Sequence, residues 1–344
     1  MSDGVAAFNG LVDLASVTLG GRAVGASDEF FAPADNLVQP GRGTFIEGKF
    51  TDRGKWMDGW ESRRKRQPGH DWCIIELGAP GRVIGLDIDT NHFVGNSPAF
   101  ASIDGASASR GAPLDHLIDA PWTELLAQAP IRPGSQNLFA AVPAGPVSHL
   151  RLSIFPDGGV ARLRAYGRVH ADWAFREVDA ETGPRLSPDW VDLSALRNGG
   201  LTVACSDAFF GPMNALIAPG RAETMGDGWE TRRRRGPGHD WVIVQLGARG
   251  TPCLVEIDTR HFKGNYPDRI SIDCIDSSLD GRITDLVTSS AWSTLLPATP
   301  LQPDSRHFFG EGLALPARPS THVRLNAVPD GGVSRLRVWG LRHG

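Results

Sequence analysis

The chain repeats itself, and this duplication restricts its fold more than any other feature. The segment GWESRRKRQPGHDW at 59–72 returns as GWETRRRRGPGHDW at 228–241, with 11 of 14 positions identical. DIDTNHFVGNSP at 87–98 returns as EIDTRHFKGNYP at 256–267, at the same offset of 169 residues. Two copies of about 165 residues are each long enough to fold alone. The 344 residues therefore predict two homologous domains rather than a solenoid.

The changing offset between the copies locates insertions and a linker. Residues 12–33 match 191–212 at an offset of 179, so the first copy holds ten extra residues around Gly43–Asp52. The segment HADWAFREVDAETGPRLSP, from about His170 to Pro188, matches nothing in either copy. We therefore expect a first repeat over 1–169, a linker over 170–188 and a second repeat over 189–344.

Short strands dominate the pattern within each copy. WCIIELG and VIGLDIDT are apolar or alternating runs, and HLRLSIF and VARLRAYG flank PDGG in the manner of a hairpin. Helical periodicity is limited to short segments such as PWTELLAQ. Gly and Pro make up about a fifth of the chain and supply turns between these runs. The pattern predicts an all-β protein with an antiparallel jelly-roll β-sandwich in each repeat.

Charge and cysteine usage exclude several classes of partner and location. The net charge of −4 offers no basic surface to nucleic acid, although Arg63–Arg66 forms one short basic run. The N-terminal residues do not resemble an export signal, and no apolar stretch approaches a membrane span. The four cysteines form no CxxC pair and occupy no common position in the two copies. We expect a soluble protein of a reducing cytoplasm, without membrane or nucleic-acid partners.

One polar string that both copies keep is D-G-W-E-[ST]-R-R-x-R-x-x-G-H-D-W. It concentrates acidic, basic and imidazole side chains within a short segment. In one interpretation it forms an anion site, where Arg binds a carboxylate and Glu, Asp or His transfers protons. In the other it is an Arg-rich loop that pairs with its own carboxylates and caps the sandwich.

Two further strings recur in both copies. In I-D-T-x-H-F-x-G-N-x-P, a strand ends at Asp89–Thr90, and His92 and Asn96 follow in a loop. This is either a functional strand end or a turn stabilised by Asp and Asn. Asp87 and Asp89 are same-face neighbours, and either of them with His92 gives a weak metal-site hypothesis. We interpret the third string, P-D-G-G-V-x-R-L-R, as a structural turn.

Common catalytic signatures such as GxSxG, HExxH and the P-loop are absent. The strings SDEFF/SDAFF, DGWE-[ST]-RR-x-R-x-x-GHDW, DT-x-HF-x-GN-x-P and PDGGV-x-R-L-R, each present twice, resemble the allantoicase family from about Leu11 to Trp339. That resemblance implies galactose-binding-like jelly rolls, an oligomer, and hydrolysis of allantoate to ureidoglycolate and urea in purine degradation. The small-molecule partner would be allantoate. No cofactor is evident, and the sequence leaves a divalent metal open.

The site hypothesis rests on residue chemistry. Arg suits the allantoate carboxylate, a carboxylic acid and a His suit proton transfer, and Asp and Asn suit orientation of ureido groups and water. The catalytic candidates are Glu61, His70, Asp71 and His92, with Glu230, His239, Asp240 and His261 in the second copy. The substrate-binding candidates are Asp58, Arg63, Arg64, Asp89, Thr90 and Asn96, with Asp227, Arg232, Arg233, Asp258, Thr259 and Asn265. A non-catalytic carbohydrate or small-ligand binding protein is the alternative, and a purely structural protein is a third class.

Overall fold

The computed structural model describes residues 8, 11–173, 183–278, 281–314 and 318–343. The chain forms two compact units, Met1–Ala171 and Asp172–Gly344. Residues 174–182 of the expected linker lie outside the described residues. Within the described ranges, no helix is long and apolar enough to cross a membrane.

The first unit is built almost entirely of antiparallel strands. Its described residues form one short helix, α1 (Leu114–Ile118), and two 3-10 turns at Val17–Leu19 and Ala34–Val38. Its strands are β1 (Val12–Asp13), β2 (Arg22–Ala26), β3 (Phe50–Thr51), β4 (Gly54–Lys55), β5 (Trp60–Glu61), β6 (Asp71–Asp89), β7 (Phe100–Ala106), β8 (Thr123–Pro130), β9 (Gln136–Ala140), β10 (Val147–Phe155), β11 (Gly159–Val160) and β12 (Arg162–Val169).

Over its described residues, the second unit repeats this order without counterparts of β3 and β4. It contains α2 (Ile283–Thr288) and 3-10 turns at Leu196–Asn198, Met213–Ile217 and Met225–Asp227. Its strands are β13 (Val191–Asp192), β14 (Leu201–Cys205), β15 (Trp229–Glu230), β16 (Asp240–Asp258), β17 (Arg269–Ile275), β18 (Ser293–Pro300), β19 (Arg306–Phe309), β20 (Ser320–Val328), β21 (Gly332–Val333) and β22 (Arg335–Arg342).

The long strand β6 organises the first unit, and its role corrects two expectations. The runs WCIIELG and VIGLDIDT are not separate strands but parts of this one strand of 19 residues. The sheet order is β1-β12-β6-β10-β7-β8, and β2 and β9 also pair with β6. β10 and β12 therefore do not form the hairpin expected around PDGG, because β6 lies between them. The first half of β6 pairs with β2 and β10, and the second half pairs with β9 and β12.

The helix expected at PWTELLAQ is wrong, because Thr123–Pro130 is a strand. The helix lies just before it, at α1. Leu125 and Leu126 are adjacent and both buried, which mimics helical periodicity. The pairing of β8 with β7 shifts register beside Ile103, and such irregularities let two neighbouring residues face the core.

Alternation along β6 separates the core from a polar face. Leu86 and Ile88 are fully buried in the apolar core, whereas Asp87 and Asp89 leave the opposite face of the strand. β16 in the second unit repeats this pattern, with the same sheet order around it. The structure confirms the predicted fold class of two tandem homologous jelly-roll β-sandwich domains.

Candidate active site

Glu61 lies on a short strand that is hydrogen-bonded on both sides. β5 pairs with β11, and the Glu61 N–H donates to the Ala32 carbonyl at 3.1 Å. The preceding Trp60 is fully buried and donates its indole N–H to the Asp28 carbonyl at 2.8 Å. The Glu61 side chain therefore projects from a firmly held backbone.

Asn96 is held against Glu61 by the PDGG turn. Asn96 Nδ2 donates to Glu61 Oε1 at 2.7 Å, and the Asn96 carbonyl accepts from the Gly159 N–H at 2.8 Å. Gly158 has a φ of 137°, and a Cβ there would lie 2.6 Å from Asn96 O. A Cβ on Gly159 would lie 2.0 Å from the Phe93 ring. Both glycines are therefore required for packing, as the structural interpretation of PDGG predicts.

His92 follows the end of β6 in a conformation that glycine usually adopts. Its φ is 67°, and that of its counterpart His261 is 71°. The turn is stabilised by the Asn91 N–H, which donates to Asp89 Oδ1 at 2.9 Å. A side chain in the left-handed region costs about 1–2 kcal/mol, and such strain concentrates at functional sites. Both copies keep this conformation, so the turn at the end of the strand fixes the direction of the imidazole.

The segment inserted in the first copy forms a further wall of the site. The Phe45 ring lies 5.7 Å from the His92 ring, centroid to centroid. Lys55 Nζ lies 4.4 Å from the Phe45 ring centroid. Lys55 comes from the hairpin of β3 and β4, and no carboxylate of the described residues lies within ion-pair distance of its ammonium group. The inserted strand β3 thus pairs with the strand that carries Lys55, a cation without a carboxylate partner among the described residues that lines the same pocket as His92.

These side chains line an open pocket of about 570 Å³, which we call the Glu61 pocket. Its size is typical of small-molecule sites. Burial raises the pKa of Glu61, and the hydrogen bond from Asn96 opposes that rise only in part. The Glu61 pocket is lined by Phe31, Phe45, Lys55, Met57, Glu61, His92, Val94, Gly95 and Asn96.

Several predicted site residues lie outside the pocket and have internal partners. Asp58 pairs with Arg162 at 2.8 Å and accepts from the Thr44 N–H at 2.8 Å. Burial alone would raise the pKa of Asp58, but these hydrogen bonds outweigh it and the pKa is lowered. Arg63 pairs with Asp28 at 2.6 Å. The loop interpretation of the first string therefore describes these residues better than the anion site.

The other first-unit candidates are also separated from the pocket. Their positions are as follows: Arg64 is exposed, His70 stacks 4.7 Å from the Phe155 ring, Asp71 pairs with Lys65 at 2.6 Å, Asp89 pairs with Arg42 at 2.8 Å, and the buried Thr90 hydroxyl donates to Arg132 O at 2.7 Å. Burial lowers the pKa of His70, and the nearby Arg151 and Lys65 charges lower it further. Of the predicted set, the structure brings together Glu61, His92 and Asn96.

The second unit keeps the Glu–Asn pair but changes its surroundings. Asn265 Nδ2 donates to Glu230 Oε1 at 2.5 Å and also approaches Met225 Sδ at 3.6 Å. His261 Nε2 lies 3.0 Å from the Ala222 carbonyl oxygen, with which it hydrogen-bonds. The remaining candidates have these positions: Asp227 accepts from Thr224 N–H, Arg232 pairs with Asp207, Arg233 is exposed, His239 contacts Asn326, Asp240 pairs with Arg234, Asp258 pairs with Arg221, and Thr259 donates to Gln302 O.

The metal hypothesis at His92 receives no geometric support. Asp89 is engaged by Arg42, and Asp87 accepts from Gln136. Among the residues that the structure describes, no three His, Cys, Asp or Glu side chains form a group that could hold a metal ion.

Sequence reasoning missed Lys55, Phe31 and Phe45. Comparison of the two copies draws attention to strings that both retain, whereas Phe45 belongs to the insertion that only the first copy carries. Lys55 aligns with Thr224 at the offset of 169. The insertion was the available signal for Phe45, and the repeated string SDEFF/SDAFF was the available signal for Phe31.

Comparisons with known proteins agree across the whole chain. A family model described as an allantoicase repeat matches residues 12–170 and 191–343. Probable allantoicase 1 from Burkholderia mallei is 48% identical over 330 residues, covering 96% of this chain and 94% of the relative. Probable allantoicase from Pseudomonas aeruginosa is 48% identical over 337 residues, covering 97% of each chain. The crystal structure of allantoicase from Saccharomyces cerevisiae matches with a TM-score of 0.80 at 33% identity, covering 99% of this chain and 98% of that one.

Proposed function

The chain belongs to the allantoicase family, and we propose that it hydrolyses allantoate to ureidoglycolate and urea in the Glu61 pocket of its first repeat. The observation that carries this location is the meeting of Glu61, His92 and Lys55 at one cavity. Allantoate has a central carbon that bears one carboxylate and two ureido groups. Its hydrolysis requires a cation for the carboxylate, an acid for the leaving nitrogen and a base for water.

Lys55 is the proposed carboxylate ligand. Its ammonium group has no carboxylate partner among the described residues, so it is available to bind the substrate anion. Arg63, which the sequence suggested for this role, is already paired with Asp28. Phe31 and Phe45 supply apolar walls that lower the local polarity and strengthen the ion pair.

Glu61 and His92 are the proposed proton-transfer groups. The raised pKa of Glu61 keeps a larger fraction of this carboxyl group protonated near neutral pH, as a general acid requires. Glu61 donates its proton to the ureido nitrogen as the C–N bond breaks, and urea leaves. His92 accepts a proton from water, whose oxygen forms the new C–O bond. The two proton transfers balance, so one water molecule is consumed and the carbinol carbon of ureidoglycolate results.

Asn96 is a proposed positioning residue. Its amide donates to one oxygen of Glu61, which leaves the other oxygen to carry the proton toward the substrate. The Asn96 amide oxygen also remains available to accept from an N–H of a ureido group.

The second repeat is proposed not to share this chemistry. Thr224 stands where the first repeat has Lys55, and Met225 stands in place of Trp56. Met225 contacts Asn265, and the ring of His261 bonds a backbone carbonyl. The Glu230–Asn265 pair therefore lies in a site that has no counterpart of Lys55 among the described residues.

The finer assignments are also proposals. We place the enzyme among hydrolases of C–N bonds other than peptide bonds, in linear amidines, with allantoate as its small-molecule partner. The four cysteines are free thiols, which supports a reducing, cytoplasmic location. Phe209 and Phe210 are 64% and 60% exposed, which supports a homo-oligomer. We also propose domain boundaries at 1–169 and 189–344, joined by the linker 170–188.

Substitution of Lys55 tests the location. A charged hydrogen bond contributes about 1.5–3 kcal/mol, so Lys55→Met should raise KM for allantoate about 10- to 100-fold. Because the carboxylate is bound throughout the reaction, kcat should change little. Lys49→Met is the matched control, since Lys49 lies in the neighbouring insertion and contacts the Trp56 ring but does not line the pocket. An unchanged KM for Lys55→Met would place the carboxylate elsewhere.

A further inference from the structure

A second cavity of the first unit lies on the polar face of β6, apart from the Glu61 pocket. It encloses about 320 Å³. Its lining includes Asp13, Arg42, Asp87, Gln136, Arg164 and Tyr166, and we call it the Asp87 cleft. None of its residues lines the Glu61 pocket.

One carboxylate that lines the Asp87 cleft forms no ion pair with a basic side chain. Arg42 donates two hydrogen bonds to Asp89, at 2.8 and 3.0 Å. Arg164 pairs with Asp13 at 3.4 Å. Asp87 receives only the neutral amide of Gln136, at 2.7 Å. Within the described part of the chain, Asp87 is thus the cleft carboxylate that forms no ion pair, although the Arg164 and Arg42 charges act on it at longer range.

Asp87 is also nearly enclosed by protein. Its residue is only 2% exposed, and its Oδ1 has no hydrogen-bond partner among the described residues. Burial raises the pKa of Asp87 to about 6 with a smaller contribution from the Asp89 charge, and the Gln136 hydrogen bond and the Arg164 and Arg42 charges oppose that rise only in part. The carboxyl group is therefore still mainly ionised above neutral pH. Burying a carboxylate oxygen without a hydrogen-bond donor costs free energy. A ligand that donates a hydrogen bond to this atom therefore gains binding free energy.

The second repeat shows what the same scaffold uses to satisfy this acid. Glu256 occupies the position of Asp87, and Arg306 occupies that of Gln136. The Arg306 Nε donates to Glu256 Oε1 at 2.8 Å, and its Nη2 lies 2.8 Å from the same oxygen. The acid is thus bound by the guanidinium group of Arg306 in the second repeat and by the neutral amide of Gln136 in the first.

We propose that the Asp87 cleft binds a small guanidinium-type cation, whose N–H donors bind Asp87 Oδ1. The cation supplies the charge that Arg306 provides in the second repeat. The neutral lining atoms of Gln136 and the Tyr166 ring leave room for a planar group. A metal ion is not the favoured occupant, because no three acidic, His or Cys side chains of the described residues form a metal-binding group.

Calorimetric titration of the full chain with millimolar guanidinium chloride tests this proposal at about pH 8, against sodium chloride at equal ionic strength. We expect saturable binding of one guanidinium ion per chain. Gln136→Arg should weaken it at least tenfold, because the new side chain copies Arg306 and occupies the site. Asp87→Asn should weaken it similarly, and both variants should keep a cooperative thermal transition.

Urea is the neutral probe of the same shape. We expect urea to bind the wild-type cleft at least tenfold more weakly than guanidinium, because it lacks the charge. Three results would overturn the proposal. The first is no saturable guanidinium binding, which would mean that water alone satisfies Asp87 Oδ1. The others are guanidinium binding that Gln136→Arg leaves unchanged, and urea binding as strong as that of guanidinium. None of these results bears on allantoate turnover in the Glu61 pocket, so the two proposals fail separately.

Discussion

Replacement of Glu61 by Gln removes one transferable proton and almost nothing else. The Gln side chain has the same shape, and its amide oxygen can still accept the 2.7 Å hydrogen bond from Asn96. That bond is worth about 0.5–1.5 kcal/mol at most, so stability should change by no more than this amount. General acid catalysis contributes about 10²- to 10⁴-fold, or about 3–5 kcal/mol of barrier. Loss of activity should therefore far exceed loss of stability.

The assay is urea release from allantoate by purified protein, measured as kcat and KM across pH. Because the protonated form of Glu61 is the active one, wild-type kcat should fall as pH rises through the raised pKa of this group. Glu61→Gln should show a kcat about 10²- to 10⁴-fold lower, without that alkaline limb. Its KM should change little, since the carboxylate of the substrate binds to Lys55.

The second repeat offers the matched control. Glu230 accepts the equivalent bond from Asn265, so Glu230→Gln makes the same chemical change in the same fold. We expect its kcat to stay within about twofold of the wild type. A loss of less than tenfold in Glu61→Gln, or an equal loss in Glu230→Gln, would refute the assignment of the general acid to the first repeat.

Three other predictions concern the base, a buried ion pair and acid stability. His92→Asn should lower kcat about 10²-fold or more while the fold is kept, because Asn tolerates the φ of 67°; full activity in the steady-state assay would exclude His92 as the base. Arg162→Met should destabilise the first unit by about 3–5 kcal/mol in urea unfolding, because it removes the guanidinium partner of the Asp58 carboxylate. A change below 1 kcal/mol would show that the ion pair is dispensable. The pKa of Asp58 is lowered in the folded state, so its contribution to stability is present above the unfolded pKa near 4 and is lost as pH falls; the Tm of Asp58→Asn should therefore depend less on pH between about 5 and 3 than that of the wild type, and parallel curves would contradict this.

Much of the fold was predictable because it follows from short patterns. The alternation around Leu86 and Ile88 predicts a strand with one apolar face, and the duplication predicts two similar units. The pairing of strands was not predictable in the same way. β10 and β12 are close in the chain, yet β6 separates them, because a strand of 19 residues has the length to pair with both. The adjacent Leu125 and Leu126 likewise suggested a helix where an irregular strand exists.

The candidate site was predictable only in part. Glu61, His92 and Asn96 stand in the repeated strings, but nothing in their spacing shows that the PDGG turn brings Asn96 to Glu61. The sequence also does not reveal that Arg63 and Asp89 already have partners in Asp28 and Arg42. In each case the partner is an oppositely charged side chain distant in the sequence, and only the fold identifies such pairs.

The most direct test of the account is a crystal structure of Glu61→Gln with allantoate bound, since this variant should turn the substrate over slowly. We predict that the allantoate carboxylate lies within hydrogen-bond distance of Lys55 Nζ, and that one ureido nitrogen lies beside the side chain at position 61. The His92 ring should face the central carbon from the side where water enters. Allantoate bound beside Glu230 in the second repeat, or anywhere outside the Glu61 pocket, would contradict the account.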